Sequence, residues 1–183
     1  MRAIIQSCTT LSDENYQLLL NSATKKTANR KQVLFYPGKP LNKMLFIEKG
    51  GLRGYKIVKD KDYTHHFYFS DWFATDFESF LTNNPSQIYI EALEDTVYYE
   101  FLKNDLLKLY RQSHQLETLG RIIAEKAYLA TVEKLSNMQL FNLNERYERL
   151  TKSHPILFQK VPQKYIASYL GVSEQSLSRI RNH

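Results

Sequence analysis

Four polar side chains near the end of the chain have the types and spacing needed to read the edges of DNA bases. They are Glu174, Gln175, Ser178 and Arg179. Arg can donate two hydrogen bonds to O6 and N7 of guanine, which makes it suited to direct readout in the major groove. Leu177 and Ile180 lie three residues apart and fall on the opposite side of the same short segment. The pattern predicts an amphipathic helix whose outer face contacts DNA.

The segment from Pro162 to His183 supplies the elements that would position these side chains. Pro162 suits the first turn of a helix, where its missing N–H is not needed. Ile166 and Leu170 are four apart and share a face. Gly171 stands where the chain must turn in the left-handed conformation, and Ser173 can cap the next helix. This order predicts a helix-turn-helix, although an ordinary helical hairpin with a charged outer face is the alternative.

Charge is concentrated in the same part of the sequence. Between positions 143 and 183 there are seven basic residues, Lys164 among them, and three acidic residues, so +4 of the chain's net charge of +6 lies there. A local basic patch is typical of phosphate binding, whereas a basic solvated surface gives the same composition.

Composition sets bounds on the other functions. The 183 residues suffice for one large domain or two small ones, and 43% of them are hydrophobic. Because there is no run of 18 apolar residues and the apolar stretch at the start is very short, we expect neither a membrane span nor a secretory signal. Cys8 is the only cysteine, which excludes an internal disulfide. We therefore expect a cytoplasmic protein.

Three zones follow one another along the chain. Residues 11–28 are predicted to be helical, with Ser12 as the cap. Residues 32–102 contain six short runs rich in aromatic and β-branched residues, separated by Pro, Gly, Asn and Asp, and they predict an antiparallel barrel or jelly roll. From Lys103 onward the sequence is mostly helical. The fold class is therefore α+β.

A long helix is predicted from His114 to Leu140, because the segment contains no Pro and has Gly120 only near its start. It carries two apolar stripes. The first is formed by Leu116, Leu119, Ile123, Ala127 and Ala130, and the second by Ile122, Leu129 and Val132. A helix with two apolar stripes needs two partners. One would be the β-domain, and the other the same helix of a second subunit, unless one chain buries the helix entirely.

The order of elements resembles the Crp/Fnr family of bacterial transcription regulators. The matching stretches are Tyr36–Gly38, Leu45–Gly50, Ile166–Ser173 and Leu177–Arg181. The resemblance implies a β-roll sensor over residues 1–113 with a jelly-roll fold like that of cyclic-nucleotide-binding domains. It further implies a dimerisation helix over residues 114–140 and a helix-turn-helix over residues 141–183. A homodimer would then bind double-stranded DNA at two-fold-symmetric operators.

The resemblance also assigns residues. Base-reading positions of the family match Glu174, Gln175 and Arg179, and its phosphate-contacting positions match Ser173 and Ser176. The effector pocket would correspond to Asp71, Trp72, Phe73, Asp76, Phe77, Ser86 and Gln87. There the sequence departs from the family, because residues 54–110 contain no Arg and residues 55–119 contain no Gly. A buried cyclic phosphate needs both, so we expect no tight cAMP binding. The aromatic pocket would take a more apolar effector or none.

Two other classes remain open as alternatives. A cupin-type metal enzyme would need His, Asp and Glu converging on one metal, but His65 and His66 are adjacent on a predicted strand and point to opposite faces. No catalytic motif, cofactor fingerprint or metal spacing is found, so the sequence predicts neither an enzyme nor a cofactor. The second alternative is a ligand-sensing or interaction module whose terminal helices do not bind DNA.

Overall fold

The computed structural model describes residues 1–181, so Asn182 and His183 of the predicted helix-turn-helix segment lie outside the described residues. Within that range the chain forms two compact units. Unit 1 contains residues 1–54 and 67–127, and unit 2 contains residues 55–66 and the chain from residue 128 onward. The fold combines helices with antiparallel sheet, as the sequence predicts.

Two four-stranded sheets carry the β-structure. The first has the strand order β1-β8-β3-β6 and the second the order β2-β7-β4-β5. The strands are β1 (Ala23–Ala28), β2 (Val33–Phe35), β3 (Lys43–Lys49), β4 (Gly51–Val58), β5 (Lys61–Phe69), β6 (Phe73–Ala74), β7 (Tyr89–Ala92) and β8 (Thr96–Leu102). All six predicted runs are strands, and the pairings of β1 with β8 and of β3 with β8 are antiparallel.

The helices fill the remainder of the chain. They are α1 (Arg2–Cys8), α2 (Asp13–Asn21), α3 (Phe77–Thr82), α4 (Lys103–Gln112), α5 (His114–Leu140), α6 (Leu143–Ser153), α7 (Pro155–Lys160), α8 (Gln163–Leu170) and α9 (Glu174–Arg181). The long helix has the predicted bounds. Among residues 1–181, none of the helices is both long and apolar enough to cross a membrane.

The first predicted zone needs a correction. Ser12 does cap α2, since its hydroxyl accepts a hydrogen bond from the amide of Asn15 at 3.2 Å. The helix nevertheless ends at Asn21, and residues 23–28 form β1 instead of continuing it. In the sequence Ala-Thr-Lys-Lys-Thr-Ala the apolar side chains are too small to predict a strand. The extended conformation depends on pairing with β8.

Strand β3 separates two apolar clusters in unit 1, because successive side chains point to opposite faces. Leu45 and Ile47 belong to one cluster, together with side chains of the second sheet. Phe46 lies on the other face, where it joins Phe101 and buried leucines of α4 and the start of α5. Both faces of β3 are thus buried, and the strand forms the centre of the unit.

Candidate nucleic-acid interface

Helices α8 and α9 pack against each other through a small set of buried apolar side chains. They are Ile166, Ala167, Leu170 and Leu177. Leu177, at 1% exposure, is the main contribution of α9, and Ile180 lies half-buried on the same side. Burying a leucine side chain stabilises a fold by about 1.5–3 kcal/mol, so these contacts hold the second helix against the first.

The turn between the two helices is closed by backbone hydrogen bonds. Gly171 has φ of +72°, the left-handed conformation that favours glycine. Its amide donates to the carbonyl of Ser168 at 3.1 Å, and the amide of Val172 donates to the carbonyl of Ala167 at 3.0 Å. The predicted role of Gly171 is confirmed.

The serine at the start of α9 caps that helix. The hydroxyl of Ser173 accepts a hydrogen bond from the amide of Ser176 at 3.1 Å, and the two serine hydroxyls lie 2.9 Å apart. The cap predicted from the sequence is confirmed. Ser176 is half-buried and its hydroxyl is engaged with the cap, so its contribution to the outer surface is smaller than that of its neighbours.

The outer face of α9 presents the side chains that the sequence singled out. Those that are exposed are Ser173, Glu174, Gln175, Ser178 and Arg179. Lys164 is exposed on α8, where its ammonium lies 5.0 Å from the centroid of the Tyr165 ring. Together these exposed groups offer hydrogen-bond donors, acceptors and positive charge, which is the chemistry that base edges and phosphates require.

Unit 2 also includes the end of the β4–β5 hairpin, residues 55–66, which sequence reasoning did not connect with the terminal helices. The hydroxyl of Ser168 on α8 accepts a hydrogen bond from the amide of Thr64 at 2.8 Å and donates one to the carbonyl of Asp62 at 3.1 Å. A single side chain therefore serves both a donor and an acceptor of β5, an edge strand of its sheet. No local sequence signal marks such a contact over about a hundred residues.

Lys134 of α5 also contacts this hairpin. Its ammonium donates to the carbonyl of His65 at 2.6 Å and lies 4.4 Å from the centroid of the Tyr169 ring. Burial lowers the pKa of Lys134 to about 8 and raises the pKa of the Tyr169 hydroxyl. The two contacts tie α5, α8 and the hairpin into one packed region.

His66 lies in the same region and is kept neutral there. Burial lowers its pKa to about 4, and the positive charge of Lys134 acts in the same direction. Two further histidines, His65 and His154, add smaller effects of the same sign. The pKa of His154 is itself lowered by burial, against an opposing influence from Glu133. The surroundings therefore favour the unprotonated form of His66 and of His154.

The predicted effector region lies in unit 1, and a carboxylate of the chain itself occupies its helix start. Asp76 caps α3 by accepting a hydrogen bond from the amide of Ser79 at 3.4 Å. The other oxygen of Asp76 accepts a bond from the hydroxyl of Ser86 at 2.8 Å. A helix N-terminus is a natural seat for an anion, and here an internal carboxylate takes that place.

The other residues predicted for the effector pocket are divided between core and surface. Phe73 and Phe77 pack against the second apolar cluster, and Phe73 makes an edge contact with Phe46 at a centroid distance of 5.1 Å. Asp71, Trp72 and Gln87 are exposed. Of the seven predicted residues, the structure records a side-chain hydrogen bond between Asp76 and Ser86.

An internal ion pair in unit 1 was missed by sequence reasoning. Arg53 of β4 is 2% exposed, and its guanidinium lies 3.2 Å from the carboxylate of Glu91 on β7. A buried charge is tolerated when it is paired, so the carboxylate of Glu91 offsets the cost of removing the Arg53 guanidinium from water. A signal was available, since Arg53 stands in a run of small and apolar residues, but the partner strand could not be deduced from it.

Comparison with solved structures identifies the architecture. The chain is similar to CLP, the c-di-GMP responsive global regulator of Xanthomonas campestris, with 15% identity, 93% of this chain and 90% of that chain covered, and a TM-score of 0.70. It is similar to the catabolite activator protein of Thermus thermophilus, with 18% identity, coverages of 94% and 83%, and a TM-score of 0.60. A protein of Eubacterium rectale described as a Crp/Fnr-family transcriptional regulator matches with 13% identity, coverages of 94% and 82%, and a TM-score of 0.71.

The chain has the Crp/Fnr fold. The similarity spans both units, since more than nine-tenths of the chain is covered in each of these comparisons. No protein-family model and no curated protein sequence matches the chain. The Crp/Fnr fold is therefore shared with transcriptional regulators at sequence identities that establish architecture, and function rests on the site itself.

Proposed function

We propose that this protein is a DNA-binding transcriptional regulator of the Crp/Fnr family, and that α9 enters the major groove. The observation that carries the proposal is the geometry of α8 and α9. Leu177 is buried against α8, Gly171 closes the turn, and the polar side chains of α9 remain on the outside. This arrangement is the one by which helix-turn-helix proteins present a recognition helix.

Individual roles follow from exposure and chemistry. We assign base-edge contacts to Glu174, Gln175 and Arg179, because these side chains are exposed and carry acceptors or paired donors. Ser173 lies at the N-terminus of α9, where helix amides and hydroxyls favour a phosphate. Lys164 adds a charge for the DNA backbone, and Ser178 and Ser176 complete the contact surface.

The regulator would act as a dimer through α5. The second half of this helix presents large apolar side chains to solvent: Tyr128, Leu129, Val132, Leu135, Met138 and Leu140. Leu129 is 63% exposed and Val132 is 40% exposed, although each belongs to an apolar stripe. A second copy of α5 packed about a two-fold axis would cover this face and place two α9 helices on successive half-sites.

The effector pocket is degenerate with respect to cyclic nucleotides. Residues 54–110 supply no Arg for a cyclic phosphate, and the two oxygens of Asp76 already accept bonds from Ser79 and Ser86. Calorimetric titration of the protein with cAMP is expected to show no binding at micromolar concentrations. Saturable binding at micromolar cAMP or below would contradict this part of the proposal.

The function is tested by selecting binding sites from a pool of random duplexes. We expect recovery of a two-fold-symmetric sequence whose half-sites are about 10 base pairs apart, bound with a logarithmic affinity that falls linearly with the logarithm of salt concentration. The proposal would be contradicted if no preferred sequence is recovered and the protein binds DNA no better than an uncharged protein does. The terminal helices would then be an interaction surface without a role in DNA binding.

A further inference from the structure

Arg146 of α6 contacts the turn between α8 and α9, the two helices of the proposed DNA reader. Its guanidinium Nη1 donates a hydrogen bond to the carbonyl of Leu170 at 3.1 Å. The Nε of the same side chain is buried, and Arg146 as a whole is half-buried. A basic residue that sequence composition assigns to the phosphate-binding patch is therefore directed into the protein.

The carbonyl that Arg146 contacts lies at a decisive point of the chain. Leu170 ends α8, Gly171 turns, and Ser173 caps α9, so only three residue steps separate the contact from the cap of the recognition helix. Carbonyls one turn earlier, those of Ala167 and Ser168, are already used to close the turn. The cation of Arg146 serves the last carbonyl and also interacts favourably with the negative end of the α8 dipole.

We infer that Arg146 is a positioning residue for DNA recognition, one that fixes the angle of α9 through the carbonyl of Leu170 and does not itself contact a phosphate. The inference rests on the proposed function. It makes the orientation of α9 depend on α6 through the side chain of Arg146. Loss of the contact would leave α9 folded but free to tilt about Gly171. Base contacts require an orientation within narrow limits, whereas phosphate contacts made by flexible lysines adapt to small tilts.

The two possible roles of Arg146 predict different responses to salt. A residue that neutralises a phosphate contributes about 0.9 to the slope of logarithmic affinity against logarithmic salt concentration. A residue that only positions the helix leaves this slope unchanged and lowers the affinity for the selected sequence. The conservative variant Arg146→Lys keeps the charge and one donor, and Arg146→Gln removes the charge.

The first experiment measures the affinity of full-length variants for the selected duplex and for a random duplex, well below the unfolding temperature of each variant. We expect Arg146→Gln to bind the selected duplex about tenfold more weakly, with the random duplex affected less than about twofold and the salt slope retained. Arg146→Lys should recover most of the loss. Lys152→Gln is the matched control, because Lys152 is an exposed cation of the same helix whose ammonium lies 3.9 Å from Glu148.

Equal losses on both duplexes with a shallower salt slope would show that Arg146 contacts a phosphate and would overturn the inference. Affinity like that of the wild type would overturn it as well. If the wild-type protein itself selects no sequence, the proposed function fails, and the inference is then judged from the protein without DNA. Amide hydrogen exchange at Gly171 and Val172 should accelerate about tenfold in Arg146→Gln and stay constant in Lys152→Gln, and equal exchange in both variants would refute the structural role of Arg146.

Discussion

The hydroxyl of Ser168 on α8 accepts a hydrogen bond from the backbone amide of Thr64, at 2.8 Å, although the two residues are 104 positions apart. The same hydroxyl donates to the carbonyl of Asp62 at 3.1 Å. The first helix of the proposed DNA reader is thereby fastened to the hairpin that joins β4 and β5. This contact, together with Lys134, makes the hairpin part of the unit that carries the reader.

Replacing Ser168 by alanine should loosen this attachment. Two hydrogen bonds are lost, each contributing about 1 kcal/mol net, so the free energy of unfolding is expected to fall by about 1–2 kcal/mol in urea titrations. Amide exchange at Thr64 should become faster. Ser178→Ala is the matched control, since Ser178 is exposed on α9 and its loss should change stability by less than about 0.5 kcal/mol. Equal stability of the two variants would contradict the fastening role.

Stability should decline on acidification because of His66. Its pKa is about 4 in the folded protein, against about 6.5 for an unfolded histidine, so the folded state favours the neutral ring. The stabilising contribution is complete above pH 6.5 and is lost progressively as the pH falls to 4. Replacing His66 by asparagine should reduce the change in the urea unfolding midpoint between pH 6.5 and pH 4.5. His114→Asn, at a residue whose side chain is 90% exposed, should keep the wild-type profile. A variant of His66 with an unchanged pH profile would contradict the burial of a neutral histidine.

The outcome for the sequence predictions follows from the range of the interactions involved. The strands of residues 32–102 and the bounds of α5 were predictable because aromatic runs, turn residues and the absence of helix breakers act locally. The turn at Gly171 and the cap at Ser173 were predictable for the same reason. The β1 strand was not, because its conformation depends on pairing with β8. Likewise, the contacts of Ser168, Arg53 and Arg146 join distant segments, and only the folded chain brings them together.

A charge placed on the exposed stripe of α5 should prevent dimerisation. Leu129 is 63% exposed, and in the proposed dimer a glutamate there would be buried opposite its own symmetry mate. Sedimentation equilibrium should give twice the chain mass of 21.6 kDa for the wild type and a single chain mass for Leu129→Glu. Leu81→Glu is the matched control, because Leu81 is 65% exposed but belongs to α3. A monomeric wild type, or a dimeric Leu129→Glu variant, would contradict the α5 interface.

The packing of α4 against α5 depends on Gly120. A Cβ atom at this position would lie 2.6 Å from Cζ of Tyr110, closer than packed atoms allow. Gly120→Ala should therefore reduce the free energy of unfolding by about 1–3 kcal/mol, even though alanine is the better helix former. The double variant Gly120→Ala/Tyr110→Leu should recover part of that loss, because the shorter side chain removes the clash. A single variant that is more stable than the wild type would show that the Tyr110 ring moves aside without cost and would contradict this prediction.

The proposed reading of DNA by α9 is tested most directly by comparing wild type and Arg179→Ala on the selected duplex and on a random duplex at one salt concentration. Arg179 is exposed on the outer face of α9 and can bind one guanine edge through two hydrogen bonds. Its loss should weaken binding to the selected duplex by about 1–3 kcal/mol and binding to the random duplex by much less. The ratio of the two affinities should therefore fall. An equal loss on both duplexes, or no loss on either, would contradict the assignment of α9 as the helix that reads the sequence.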